Sequence, residues 1–223
     1  VLNNGIINSS AAGNITLSGG QIDGTGAITA TDGNAVLNST VDSETSTLTG
    51  TITATTGSIS TVGGTYAVTT MTANAGGVTI AGDASGTFTN VNATGSAVRL
   101  TTSGNVTLTT VDTGIVAASG TGDYALGTVT SSTSALVQIT TGTGDDSVTL
   151  NADDKYIVSM GDGADAVVAT DTAAASVINL GDGADTLTPT AGAYQGTTDG
   201  GDGSDTVVLA TGDYAGDGVW TNI

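Results

Sequence analysis

Four short stretches of the chain repeat one arrangement of glycine and aspartate: Thr141–Thr149 (TGTGDDSVT), Met160–Val168 (MGDGADAVV), Leu180–Thr188 (LGDGADTLT) and Gly200–Val208 (GGDGSDTVV). Numbering the nine places of each stretch, glycine stands second (Gly142, Gly161, Gly181, Gly201) and fourth (Gly144, Gly163, Gly183, Gly203). Aspartate stands sixth (Asp146, Asp165, Asp185, Asp205), and a second acid stands fifth or third (Asp145, Asp162, Asp182, Asp202). The second-place glycines are 19, 20 and 20 residues apart. Glycine at places two and four lets the backbone take positive φ and turn its carbonyls inward. Aspartate at place six then directs a carboxylate into the gap between successive bends, and Val148, Val167, Leu187 and Val207 at place eight enter a core. Carboxylates and carbonyls are hard oxygen donors, and six to eight of them suit calcium. One bend offers half a shell, so four stacked bends predict about three ions between them, with half-sites at the ends.

A lone Gly-Asp-Gly is an ordinary turn tripeptide. Four in phase, with matching acid and apolar places, favour a metal array, while acidic turns without an ion remain the plainer reading. Electrostatics favours the first. Stacked bends bring like charges close together, and such a stack needs a cation.

Composition narrows the rest. The 223 residues include 35 glycines but one Pro, one Trp and one Phe, so any core is built from Val, Ile, Leu and Ala. Two cations, Arg99 and Lys155, face 21 acids, for a net charge of −19. That excludes the basic surfaces nucleic acids and anionic membranes require. Seven acids lie in residues 1–140 and fourteen in 141–223. With no Cys there is neither disulfide nor thiolate site, and with no His the commonest transition-metal ligand and general base is missing. No apolar run is long enough for a membrane-spanning helix. The chain begins at Val1 without a signal-peptide pattern and reads as a fragment of something longer.

A repeat near 20 residues is too short for a helix pair or a βαβ unit and fits one coil of a parallel β-roll, each coil stacking about 4.8 Å from the last. Residues 141–223 therefore read as a calcium-binding β-roll, with strands over 155–160, 166–170, 176–180 and 206–210. Residues 1–140 show a looser glycine-led cadence of about nine residues, as at Gly77-Val-Thr-Ile, Gly86-Thr-Phe-Thr, Gly95-Ser-Ala-Val and Gly104-Asn-Val-Thr. It fits a Thr/Gly-rich β-solenoid continuous with the roll, or an antiparallel sandwich, and the scarcity of Asn-Gly hairpin turns favours the solenoid. The expected class is all-β, a parallel β-solenoid.

The stretch from Thr141 to Leu209 resembles the RTX, or hemolysin-type, calcium-binding repeat Gly-Gly-x-Gly-x-Asp-x-U-x, where U is a large apolar residue. Only 200–208 has both leading glycines; Thr141, Met160 and Leu180 replace the first elsewhere. The setting is most similar to bacterial S-layer proteins of the RTX type. That resemblance implies a secreted, non-enzymatic structural protein, exported by type I secretion, that self-assembles into a calcium-dependent lattice on the cell surface. It leaves contact with cell-surface polysaccharide to regions outside this chain. An RTX adhesin or biofilm fibre, or the calcium roll of an exoenzyme whose catalytic domain lies elsewhere, stands as the alternative. The chain lacks a recognisable C-terminal secretion signal and a long unbroken tandem array.

Other candidates weigh less. Asp153 and Asp154 read as a solvated turn rather than a glycosidase pair. Tyr66, Tyr124, Tyr156, Tyr194 and Tyr214 read as scattered, partly exposed solenoid positions rather than a sugar-binding surface. Thr-Gly-Asp-Tyr-Ala occurs at 121–125 and 211–215, which reads as equivalent strand ends in two repeats or as chance in a biased composition, with the former slightly favoured. The sequons at Asn8, Asn14, Asn38, Asn92 and Asn105 follow from the abundance of Ser and Thr. Trp220 and Ile223 are candidates to seal the end of the roll.

Overall fold

A computed structural model describes residues 2, 4–10, 12–40, 44–133, 136–151, 154–169, 176–189, 195–209 and 218–223. The described residues contain strands and no helix, so none of them forms a helix that could cross a membrane. The strands form two parallel sheets of eleven strands each and a third sheet of three very short strands. Successive strands alternate between the two large sheets, so each coil gives one strand to each. This is a β-solenoid. Every pairing is parallel, and the sandwich allowed for residues 1–140 is not formed. Both large sheets pass through residue 141 without a break, joining Tyr124–Thr130 to Ser147–Leu150 and Leu136–Thr140 to Lys155–Ser159.

The register explains the two cadences. Paired residues are one coil apart, from 18 residues (Ala97 with Ile115) to 24 (Ile28 with Ile52). The nine-residue cadence is half of that: Val78–Gly82 and Ala97–Thr102 lie in one sheet, while Ser85–Asn92 and Val106–Asp112 lie in the other. The glycine-led segments thus mark strand to strand, and the 20-residue repeat marks coil to coil.

The core follows from strict alternation along each strand, which sends every second side chain inward. One inward row of the first sheet runs Ile28, Ile52, Met71, Val91, Val111, Val129, Leu150 and Ala169. Facing it in the second sheet are Ala35, Ile59, Val78, Val98, Val116, Ile139, Val158 and Ile178. All are buried. The thin space between the sheets takes aliphatic side chains, which accounts for the near absence of large aromatics.

Three tyrosines contradict the sequence reading. Tyr66, Tyr124 and Tyr156 are fully buried, not partly exposed. Each phenol finds backbone partners that make burial affordable: Tyr66 with Ser39 N and Val62 O, Tyr124 with Thr102 O, and Tyr156 with Val129 O. Tyr194, Tyr214, Asp153 and the 211–215 copy of the repeated pentapeptide lie outside the described residues. Trp220 pairs opposite Thr198 in the strand Val219–Thr221 but remains 38% exposed, and Ile223 is also exposed, so neither closes over the core.

Candidate metal centre

The four glycine-aspartate bends lie on one side of the solenoid, where the chain passes from the second sheet to the first. They stack in register. Asp162, Asp182 and Asp202 stand opposite one another in the three-stranded sheet, as do Gly163, Gly183 and Gly203, and Thr143 bridges to Asp162. Positive φ occurs at Gly161, Gly181 and Gly201 and at Gly144, Gly163, Gly183 and Gly203; Gly142 does not share it. A methyl group at Gly161, Gly181 or Gly201 would run into the carbonyl of the preceding second-place glycine. The bends are therefore packed backbone on backbone, which only glycine permits.

The place-six aspartates form a continuous ladder. Asp165 Oδ1 accepts a hydrogen bond from Asp146 N at 2.8 Å, Asp185 Oδ1 from Asp165 N at 2.8 Å, and Asp205 Oδ1 from Asp185 N at 3.0 Å. Asp146 Oδ1 accepts from Tyr124 N at 2.7 Å. Each carboxylate thus reaches back toward the preceding coil. Asp146, Asp165 and Asp185 are each only 1% exposed. Their second oxygens are buried without a hydrogen-bond partner; Thr61 Oγ1 and Asn92 Oδ1 are the other such atoms among the described residues. A buried carboxylate oxygen with nothing to bind is costly. Asp205, in the last described bend, is only half-buried.

These surroundings resist ionisation. Burial raises the carboxyl of Asp165 to about 7; the Asp146 amide opposes the rise, and the charges of Asp146, Asp185 and Asp145 add to it. Burial likewise raises Asp146, with the Tyr124 amide and Thr141 hydroxyl opposing and Asp123 and Asp145 adding. The Thr141 hydroxyl spends its own proton on the Met160 carbonyl. Asp185 is raised by burial first, opposed by the Asp165 amide, with the charges of Asp205 and Asp182 added.

The remaining acids behave differently. Asp145, at place five, is exposed and points the other way along the stack: its Oδ1 accepts from Ala164 N, and its own N–H goes to Asp123 Oδ1. Asp123 N in turn donates to Asn105 Oδ1. Asp162, Asp182 and Asp202 are exposed. Among the described residues no three acidic side chains converge as a ready-made chelating cluster. An ion between the bends would take one or two oxygens from a place-six carboxylate and most of its shell from bend carbonyls. The unpartnered oxygens of Asp146, Asp165 and Asp185 fit that role.

Sequence reasoning missed one bend. Ser119-Gly120-Thr121-Gly122-Asp123-Tyr124 stacks directly beneath the first acidic bend, because methyl groups at Gly142 and Gly144 would meet the carbonyls of Gly120 and Gly122. The signals were the Gly-x-Gly pair and the segment 121–125, obscured by tyrosine where the others have aspartate. Elsewhere on the solenoid a shallow groove of about 370 Å³ is lined by Thr94, Arg99, Ile115, Thr133, Leu136 and Gln138. Compared with known proteins, the chain matches no family model, no curated protein and no solved structure.

Proposed function

We propose that this chain is a calcium-stabilised structural segment of a secreted bacterial surface-layer protein of the RTX type, acting without catalysis and assembling with copies of itself. The observation that carries the calcium reading is the column of buried carboxylates, each with one oxygen capping the preceding coil and the other without a partner. A divalent ion supplies the missing partner and cancels the repulsion along the column. Calcium fits better than a softer metal because every available donor is oxygen; the chain has neither His nor Cys. The same lack of His supports a non-enzymatic role. Extracellular calcium, near 1 mM, against sites with Kd of order 10⁻⁴ M contributes about 1.4 kcal/mol per ion. Three or four such ions contribute roughly 4–6 kcal/mol, comparable to the stability of a whole domain.

The lattice reading rests on the resemblance of the repeats and on described residues that are given over to coils. Electron microscopy after adding calcium tests it: ordered sheets or tubes support a lattice, and dispersed rods count against it. The adhesin alternative draws on the groove around Arg99 and Gln138, where one of two cations stands beside polar side chains and Ile115. Binding of the chain to a glycan array, lost in Arg99→Ala, would favour that alternative.

A further inference from the structure

Four acidic bends, counted by the gaps between them, give three ion sites. The structure points to a fourth. The place-six side chain of each coil reaches into the slot toward the coil before it, so each such carboxylate serves the slot on its N-terminal side. Asp165, Asp185 and Asp205 serve the three slots between acidic bends. Asp146 serves a slot between its own bend and the bend 119–124, which lacks the repeat's aspartate.

We infer that this slot is a calcium site, formed by the Asp146 carboxylate and the backbone carbonyls of the glycine bends 119–123 and 141–145, and that Tyr124 terminates the ion column one coil earlier. The inference rests on the calcium reading above. Three observations place it here. Asp146 is 1% exposed and its Oδ2 has no partner, as in the slots of Asp165 and Asp185. The bend 119–123 offers a close-packed Gly-x-Gly backbone, with Gly120 and Gly122 directly beneath Gly142 and Gly144 though without their own positive φ. Asp123 and Asp145 add negative charge around Asp146, and neither Arg99 nor Lys155 is hydrogen-bonded to it. The next slot down is closed. There the place-six residue is Tyr124, whose ring projects toward the preceding coil and whose phenol donates to Thr102 O at 2.6 Å. Its hydroxyl sits close to Gly120, where an ion would otherwise lie.

The test is the calcium stoichiometry of the full chain by native mass spectrometry, compared with Asp146→Asn. Asparagine retains an oxygen for the Tyr124 amide but loses the charge. The expected result is four ions for the unaltered chain and three for Asp146→Asn, with Asp185→Asn, in a slot between two acidic bends, also losing one. Three ions in the unaltered chain, or a count unmoved by Asp146→Asn while Asp185→Asn loses one, would overturn the fourth site and leave the calcium reading standing. No calcium bound by the unaltered chain would overturn both. Should Asp146→Asn fail to fold, the count of the unaltered chain still decides.

Discussion

One column of side chains runs along the bend side of both regions of the solenoid, and its chemistry changes part-way. In the first region it passes through Ser46, Tyr66, Gly86, Val106 and Tyr124, paired coil on coil. In the second the equivalent places are Asp146, Asp165, Asp185 and Asp205. Burial is the same: Tyr66, Val106 and Tyr124 are as enclosed as Asp146, Asp165 and Asp185. The first region fills its bends with apolar rings and methyls and satisfies each phenol on a backbone group. The second fills the same space with carboxylates that are half satisfied. One backbone thus supports two solutions: a self-sufficient stack and, on the calcium reading proposed above, a stack whose stability depends on an ion. The row two places on is unaffected, since Val68, Phe88, Leu108, Leu126, Val148, Val167 and Leu187 are apolar and buried throughout.

Removing calcium should separate the two regions most sharply. In chelator, hydrogen exchange should show residues 141–209 unprotected while the coils of 45–130 stay protected, a loss of roughly 4–6 kcal/mol confined to the acidic bends. Equal loss of protection in both regions would remove the distinction. Next in size, Gly183→Ala should cost about 2–4 kcal/mol in thermal unfolding with calcium present, since the methyl group meets the Gly163 carbonyl and φ is +157°. Asp165→Asn should change sign with conditions. With calcium it should destabilise by about 1–2 kcal/mol through loss of an ion; in chelator it should stabilise, because the uncharged amide is easier to bury.

Acidity should act as a gentler version of that substitution. Folding raises the Asp165 carboxyl from 3.8 to about 7, so the calcium-free fold takes up protons. The contribution is fully present below about pH 4 and is lost as pH climbs through 7. Denaturant titrations in chelator should therefore show greater stability at pH 5 than at pH 8, with the order reversed in calcium, where the ion requires the ionised form. The smallest effect belongs to the first region: Tyr124→Phe removes the phenol's hydrogen bond to the Thr102 carbonyl and should cost about 0.5–1.5 kcal/mol with or without chelator.

Much of this was legible in the residues. Glycine and aspartate in phase at 142, 161, 181 and 201 marked the coil length and the stacked bends, and alternating Val, Ile and Thr marked the strands. Three features were not legible, each for a physical reason. The nine-residue cadence of the first region could not be told from a coil repeat, because both sheets use similar strands. The burial of Tyr66, Tyr124 and Tyr156 depends on carbonyls and amides from other coils, such as Thr102, that no local pattern connects to them. The direction in which a place-six side chain points is set by three-dimensional stacking, so sequence spacing counted gaps between acidic bends and overlooked the bend at 119–124.

Calcium anomalous scattering from crystals of the chain grown with calcium distinguishes an ion column from bare acidic turns. Density peaks are expected beside the second carboxylate oxygens of Asp146, Asp165 and Asp185, in line between the stacked bends. Peaks only at the exposed Asp162, Asp182 and Asp202, or water in place of calcium beside the buried oxygens, would contradict that arrangement.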